Sequence, residues 1–359
     1  MTERFFMGGM TPHGFSTQLT ELVDQNEYFT YILKGGPGTG KSSLMKRVAD
    51  RFAETETVTR YHCSADPDSL DAVELHASKT ILVDGTPPHV FEPSFPGICQ
   101  TIIDLGQYLD RDRLEEDREK IITVSGLYRS AMAKASDSNK ALGILCSDIR
   151  ACAEPFLDRQ KIEETAQRLC DALSEKRTGR GKQTVRQLSA MTHSGYMTLP
   201  DTIRSCSNVI ILSDRYFAAS DVLLDIIAAK AAELGYDVKL SACLLCDPAV
   251  REHLLIDDID TALVTSNPLT RITLPGVSCQ DLSRCYDKAG MQAQEERLES
   301  DLARLNGAVN ASREMLRQAK QLHDEWERYY GGAMDFTALD GIFETICEET
   351  ERRRQRQSN

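Results

Sequence analysis

The chain has 359 residues, 41% of them hydrophobic and 27% charged, which is typical of a soluble globular protein with about two domains. Its net charge of −13 disfavours nucleic acid or an anionic membrane as a partner, because both are negatively charged. No apolar run approaches the ~20 residues of a membrane span. Eleven scattered cysteines, with no signal-peptide pattern at Met1–Arg4, predict reduced thiols in a cytoplasmic protein.

The first part of the chain predicts short strands and one helix. Residues 42–52 form an amphipathic pattern in which Leu44, Val48 and Phe52 share one face. Strands joined by crossovers of this length predict an α/β fold with a mainly parallel, doubly wound sheet. The predicted strands are Arg4–Met7, Tyr31–Leu33, Thr59–Cys63 and Thr80–Val83.

A glycine-rich segment between the second strand and the helix matches the pattern of a P-loop. Glycines allow several backbone N–H groups to approach a phosphate at the start of a helix. Lys41 would reach the β- and γ-phosphates of ATP, and the Ser42 hydroxyl would bind Mg²⁺. A glycine-rich loop without this role is the alternative. The predicted nucleotide-binding residues are Gly35, Gly36, Pro37, Gly38, Thr39, Gly40, Lys41, Ser42 and Ser43.

The apolar strand that ends at Asp84 predicts a second magnesium ligand. A carboxylate at the carboxyl end of a parallel strand lies where such sheets bind ligands, and Mg²⁺ prefers oxygen ligands. The predicted Mg²⁺ ligands are therefore Ser42 and Asp84. The alternative is that Asp84 only begins the turn that continues through Gly85 and Pro87.

Residues 62–71 leave another strand end and carry several acids that would position water or an acceptor hydroxyl. Among them we predict Asp68 as catalytic, together with Lys41 and Asp84. An equally strong alternative is a capped turn that leads into a helix. His89 would line the same site, although a single histidine in a proline-rich turn is more often structural.

The pattern becomes helical and charged at about residues 105–176 and again at about 288–355. In the second segment Leu298, Leu302 and Leu305 recur at helical spacing. These segments would cover the sheet, pair with each other, or bind a second copy or another protein. We favour a helical hairpin that packs on its own domain.

Matching segments recur at a separation of about 180 residues, which predicts a tandem duplication. The alternative is two unrelated α/β domains with similar turns. We predict an active P-loop NTPase domain at 1–183 and a degenerate copy at 184–359. The matches pair Gly9–Phe15 with Ala190–Tyr196, Ile32-Leu33 with Ile211-Leu212, Asp66-Pro67 with Asp247-Pro248, Ile81–Val83 with Ala262–Val264, and Pro96-Gly97 with Pro275-Gly276.

The second copy has lost the phosphate-binding pattern. Residues 214–221 replace the glycine-rich loop, and Ser220 aligns with Lys41. We expect features shared by both copies to serve the fold, and features lost with the P-loop to serve chemistry. This favours functional roles for three residues and a structural role for Asp66. Asp84 aligns with Thr265, Asp68 with Ala249, and His89 with Thr270.

The stretches YILKGGPGTGKSSLMK, YHCSADPDSLD and ILVDGTPPH resemble a bacterial family of duplicated P-loop proteins, described as ATPases or nucleotide-kinase-like proteins. The resemblance covers nearly the whole chain. It implies ATP binding in a P-loop NTPase fold, and it supplies no substrate. Many members of that family carry a P-loop in each half, and this chain departs from them in its second half.

We therefore expect Mg²⁺-dependent ATP hydrolysis, with the second copy as a regulatory or docking partner. No guanine-reading NKxD pattern is present, which favours ATP over GTP. Gly85 stands where many ATPases carry a glutamate after the Walker B aspartate, so another residue would orient the water, and Arg215 is one candidate for a catalytic arginine. The alternatives are a kinase for a nucleotide or another small molecule, and a non-catalytic scaffold gated by ATP.

Overall fold

The computed structural model describes residues 2–171, 173 and 177–357, so the end of the predicted helical segment 105–176 lies partly outside the described residues. These residues form two compact units. Unit 1 contains 2–8, 17–135 and 315–357, and unit 2 contains 9–16 and the described part of 136–314. The predicted division at residue 183 follows the sequence repeat, whereas each compact unit takes segments from both sides of that position.

The strands and helices of the described residues are named here in chain order. The strands are β1 (Thr2–Phe6), β2 (Gly8–Thr11), β3 (Gly14–Thr17), β4 (Phe29–Lys34), β5 (Val58–His62), β6 (Leu70–Leu75), β7 (Thr80–Asp84), β8 (Gln100–Asp104), β9 (Gln183–Val185), β10 (Ser189–Thr192), β11 (Gly195–Thr198), β12 (Asn208–Ser213), β13 (Val238–Ala242), β14 (Arg251–Ile256), β15 (Thr261–Ser266) and β16 (Ser278–Asp281). The helices are α1 (Leu19–Val23), α2 (Lys41–Phe52), α3 (Arg111–Glu116), α4 (Arg118–Ala153), α5 (Arg159–Cys170), α6 (Pro200–Arg204), α7 (Ala218–Glu233), α8 (Lys288–Met291), α9 (Glu295–Ala333) and α10 (Ala338–Gln357).

Unit 1 is built on a six-stranded sheet in the order β1-β5-β6-β7-β4-β8. The four strands expected from the sequence correspond to β1, β4, β5 and β7, and the amphipathic pattern corresponds to α2. The apolar face of α2 packs on the sheet, where Leu44, Val48 and Phe52 join one buried cluster. The prediction of an α/β architecture with mostly parallel strands is therefore confirmed.

The central strand β6 departs from the prediction, because it runs antiparallel to both of its neighbours, β5 and β7. The expected turn into a helix after Asp68 is wrong, since Leu70–Leu75 is this strand. Its sequence LDAVEL contains residues that favour helices. Its two acids are unusual in a strand that is buried throughout, so the pattern of residue types did not indicate one. Packing between two apolar strands decides its conformation.

Unit 2 repeats this sheet strand for strand. Its order β16-β12-β15-β14-β13-β9 corresponds to β8-β4-β7-β6-β5-β1, and β14 is again antiparallel to both neighbours. Leu33 pairs with Asp84 in unit 1, as Leu212 pairs with Thr265 in unit 2. Two sheets of the same order and register are compatible with a duplicated α/β fold.

The helical segments exchange partners between the two halves of the sequence. In unit 2, α5 packs on α7, and in unit 1, α10 packs on α2. The expected hairpin on its own domain is therefore wrong. Leu339, Ile346 and Cys347 of α10 are buried, and the latter two belong to the core cluster of α2.

None of the helices in the described ranges combines the length and apolar character that crossing a membrane requires.

Candidate functional site

The predicted P-loop joins the end of β4 to the start of α2. Gly40, just before the helix, has φ 87°, in the left-handed region that favours glycine. Lys41 is the first residue of α2 and is buried. Its Nζ donates hydrogen bonds to the carbonyl oxygens of Gly35 at 3.1 Å and Gly36 at 2.9 Å. The lysine side chain therefore lies against the glycine-rich loop, and the two together would bind phosphate.

Asp84 is the last residue of β7 and lies beside the loop, because β7 is parallel to β4 and pairs with it in register. Its Oδ2 lies 3.7 Å from Nζ of Lys41. Its Oδ1 accepts hydrogen bonds from the backbone amide of Thr86 at 2.9 Å and from the Thr86 hydroxyl at 2.5 Å. Burial raises the pKa of Asp84, and Lys41 and Thr86 oppose that rise. Asp84 thus lies beside Lys41, as a magnesium ligand would, and it also makes the hydrogen bonds of the turn that the alternative interpretation predicts.

Ser42, the second predicted magnesium ligand, contacts the start of β6. Its hydroxyl oxygen accepts a hydrogen bond of 2.9 Å from the backbone amide of Leu70. One hydroxyl can accept this bond and still offer its other lone pair to a cation. The contact brings the beginning of β6 to the beginning of α2.

Asp71 and His89 form a buried pair that the sequence analysis did not connect. Oδ2 of Asp71 lies 3.3 Å from Nε2 of His89, and Oγ1 of Thr17 lies 3.5 Å from Nδ1 of His89. Burial lowers the pKa of His89, but the hydrogen bond and charge of Asp71 and the charge of Asp84 outweigh it, so the pKa is raised. The only signal in the sequence was the position of both residues after predicted strand ends.

The two other acids of this segment differ in their surroundings. Asp66 accepts a hydrogen bond of 2.9 Å from the Ser69 hydroxyl and lies 3.4 Å from Nζ of Lys320. The turn that it begins recurs in unit 2 at Asp247, in agreement with a structural role. Asp68, predicted as catalytic, is exposed.

The part of α9 that belongs to unit 1 lies directly on the glycine-rich loop. A Cβ at Gly36 would lie 2.7 Å from the ring of Tyr330, and one at Gly38 would lie 2.4 Å from the carbonyl oxygen of Glu327. A Cβ at Gly40 would lie 2.7 Å from Cδ1 of Leu339 in α10. Three glycines of the loop are therefore needed for packing as well as for any approach to phosphate. No local pattern could have indicated these contacts.

The same part of α9 brings three side chains of metal-binding type within 4.8 Å of one another, namely His323, Asp324 and Glu327. Nδ1 of His323 lies 3.8 Å from Oε1 of Glu327. Asp324 already forms a short ion pair with Lys320. This grouping was not expected from the sequence, and it lies on a partly buried helix face.

The equivalent loop of unit 2 is two residues shorter. Residues 214–217 separate β12 from α7, whereas 35–40 separate β4 from α2, so four residues replace six. Phe217 holds the left-handed position of Gly40, with φ 64°. Lys41 therefore corresponds to Ala218, and the alignment of Lys41 with Ser220 is corrected.

In unit 2, the backbone amides at the start of α7 donate hydrogen bonds to side chains of the protein. The buried Asp214 accepts hydrogen bonds from the Ser220 amide at 2.8 Å, the Tyr216 amide at 3.1 Å and the Tyr286 hydroxyl at 2.8 Å. The Ala219 amide donates to the Tyr286 oxygen at 2.9 Å. In unit 1, within the ranges the structure describes, the amides of residues 38–43 donate to no side chain. The start of α2 thus keeps donors for an anion, while the start of α7 does not.

Comparison of the chain with protein-family models, with curated proteins and with solved structures finds no match in any of the three. The family resemblance of the sequence therefore stays a prediction.

Proposed function

We propose that unit 1 is a Mg²⁺-dependent ATPase of the P-loop NTPase class, and that unit 2 binds no nucleotide. The observation that carries the proposal is the contrast between the two helix starts. Within the described ranges, the amides of residues 38–43 donate to no side chain in unit 1, whereas Asp214 accepts from the equivalent amides in unit 2. A carboxylate at a helix start satisfies the same donors that a phosphate would use.

The residues around the loop supply the chemistry that phosphoryl transfer needs. The loop amides and Lys41 would hold the β- and γ-phosphates, for which the ammonium group would leave the carbonyls of Gly35 and Gly36. Ser42 and Asp84 would hold Mg²⁺. Charge neutralisation and positioning would then carry most of the rate enhancement.

The experiment is ADP release from Mg·ATP by the purified protein, compared with Lys41→Ala, with and without a panel of nucleotide acceptors. Turnover without an acceptor that is lost in the variant supports the ATPase. Turnover that needs an acceptor replaces the ATPase with a kinase. Turnover that persists in Lys41→Ala contradicts the proposed site.

A second function, an ATP-gated scaffold, is favoured by one specific contact. Tyr330 and the backbone of Glu327 pack on Gly36 and Gly38, so a change in the loop on nucleotide binding would press on α9. ATP binding that depends on Lys41, alters hydrogen exchange in α9 and yields no ADP would favour the scaffold over the ATPase.

A further inference from the structure

Asp71 lies near the predicted magnesium carboxylate, Asp84, on the neighbouring strand. Strands β6 and β7 are antiparallel, and Ala72 pairs with Val83. Asp71 and Asp84 are the residues next to this pair, each at the end of its strand that faces the glycine-rich loop. The charge of Asp71 accordingly contributes to the raised pKa of Asp84.

The start of β6 is also fixed against the phosphate-binding loop. Leu70, the residue before Asp71, donates its amide to the Ser42 hydroxyl at 2.9 Å. Asp71 therefore follows a residue that contacts Ser42, and it stands next to the strand pair Ala72–Val83 that precedes Asp84. A carboxylate here would lie near a Mg²⁺ ion held by Ser42 and Asp84, and near the γ-phosphate of a bound ATP.

His89 gives the Asp71 carboxylate a fixed partner. Both side chains are buried, and the 3.3 Å contact between Asp71 Oδ2 and His89 Nε2 is the one ion pair of Asp71 within the described ranges. One carboxylate oxygen is thus held by the imidazole, and the other can accept a hydrogen bond from a ligand. The burial of both groups makes their orientation specific.

Unit 2 supplies an internal comparison. Glu252 holds the position of Asp71, because it precedes the pair His253–Val264 as Asp71 precedes the pair Ala72–Val83. Its carboxylate accepts hydrogen bonds from the Tyr196 hydroxyl at 2.7 Å and the Asn267 amide at 3.0 Å. In the sequence repeat, Phe15 aligns with Tyr196, Thr86 with Asn267 and His89 with Thr270.

The Glu252 carboxylate is therefore held by Tyr196 and Asn267 and also lies 3.6 Å from Nε2 of His253. Asp71 has a smaller set of partners, because His89 is its one ion-pair partner among the described residues. This smaller set of partners occurs in the unit that also has Lys41, Asp84 and a helix start whose amides, among the described residues, donate to no side chain.

We propose that Asp71 is the catalytic carboxylate that orients the attacking water in ATP hydrolysis, and that His89 is the residue that positions it. This inference rests on the proposed ATPase function. The water oxygen forms a bond to the γ-phosphorus, and the bond from that phosphorus to the bridging oxygen breaks with its electron pair on ADP. The water proton passes to Asp71 and leaves with the phosphate.

The test compares Asp71→Asn with the wild type in ADP release, ATP binding and magnesium dependence. We expect kcat to fall by about 100-fold or more, because a general base contributes roughly 10²–10⁴-fold. The affinity for Mg·ATP and the magnesium concentration for half-maximal rate should change less than about threefold. The matched control is Glu252→Gln in unit 2, which should leave kcat unchanged.

Variants of His89 test its positioning role. His89→Ala should lower kcat about tenfold with KM unchanged, because the carboxylate loses its fixed orientation. His89→Gln, whose amide can still donate to Asp71, should recover most of that loss. An equal loss in both His89 variants, with a lowered melting temperature, would indicate a structural role and overturn the positioning claim.

The possible failures are distinguishable. Undiminished turnover in Asp71→Asn overturns the catalytic role of Asp71 and leaves the ATPase proposal intact. A raised magnesium requirement in that variant also overturns the catalytic role and would make Asp71 a metal ligand. A wild type that binds Mg·ATP but neither hydrolyses it nor traps ADP with fluoroaluminate overturns the ATPase and the role of Asp71 together.

Discussion

The ring of Tyr330, near the end of α9, lies against Gly36 in the loop before α2. A Cβ at Gly36 would lie 2.7 Å from two ring carbons, which is well inside van der Waals contact. The absence of a side chain at Gly36 thus makes room for the ring of Tyr330, a residue far away in the sequence. The conformation of the predicted phosphate-binding loop depends on the C-terminal segment.

Gly36→Ala should destabilise the protein by about 1–3 kcal/mol, because the added methyl group forces Tyr330 or the loop to move. The measurement is the urea midpoint of unfolding. Adding Tyr330→Ala should restore part of the loss, which a double-mutant cycle separates from the cost of removing the ring itself. Gly126→Ala in α4 is the matched control, since no atom lies within 4 Å of its added Cβ, and it should be neutral or slightly stabilising.

Asp214→Ala should destabilise the protein by about 2–4 kcal/mol, because it removes the acceptor of the Ser220 amide and the Tyr286 hydroxyl and leaves these buried donors without that partner. ATP turnover should be unchanged, since Asp214 belongs to unit 2. Urea unfolding and ADP release measure the two effects. Calorimetric titration of the wild type should give one nucleotide per chain, and two sites of equal affinity would contradict the assignment of unit 2.

Glu252→Gln should change how stability depends on pH. Burial raises the pKa of Glu252 from 4.5 to about 7, against the hydrogen bonds from Tyr196 and Asn267. The protonated carboxyl therefore favours the folded state below pH 4.5, and this contribution is lost as the pH rises to 7. At ~1.4 kcal/mol per unit, the loss is about 3 kcal/mol.

The variant cannot lose that contribution, so its unfolding free energy relative to the wild type should rise by about 3 kcal/mol between pH 4.5 and 7. Urea unfolding of both proteins at several pH values measures the difference, in which the other titrating groups cancel. A difference that is constant with pH would mean that Glu252 titrates normally.

Asp84→Asn should lower Mg·ATP turnover by about 100-fold and raise the magnesium requirement, because an amide is a poor ligand for Mg²⁺. The variant should be at least as stable as the wild type at pH 7, since burial raises the pKa of Asp84 and disfavours its charged form. Titration of ADP release with magnesium, together with a thermal melt, separates the two effects. Normal magnesium dependence would leave Asp84 with the turn to Thr86 as its only role.

The sequence was most informative where chemistry and conformation are local. Glycines before Lys41, and the apolar periodicity of α2, specify a turn and an amphipathic helix without reference to distant residues. It failed at Leu70–Leu75, where helix-favouring residues form a central strand. Burial on both sides decides that strand, and burial is a property of the neighbours.

In the candidate site, too, residues in local motifs were predicted and contacts between distant segments were not. Lys41, Ser42 and Asp84 were predicted from short motifs, and the strand register brings them to one edge of the sheet. The pairing of Asp71 with His89 was not predicted, because an antiparallel strand and a separate loop had to meet.

The sequence by itself determined the repeat, the α/β pattern, the glycine-rich loop and the loss of that loop in the second copy, because each is a pattern of residue types along the chain. Only the tertiary structure decided that α10 packs on α2, that Tyr330 and Glu327 cover the loop, and that Asp214 fills the start of α7. Those contacts join residues far apart in sequence, and their free energy comes from burial and hydrogen bonding that exist only once the chain has folded.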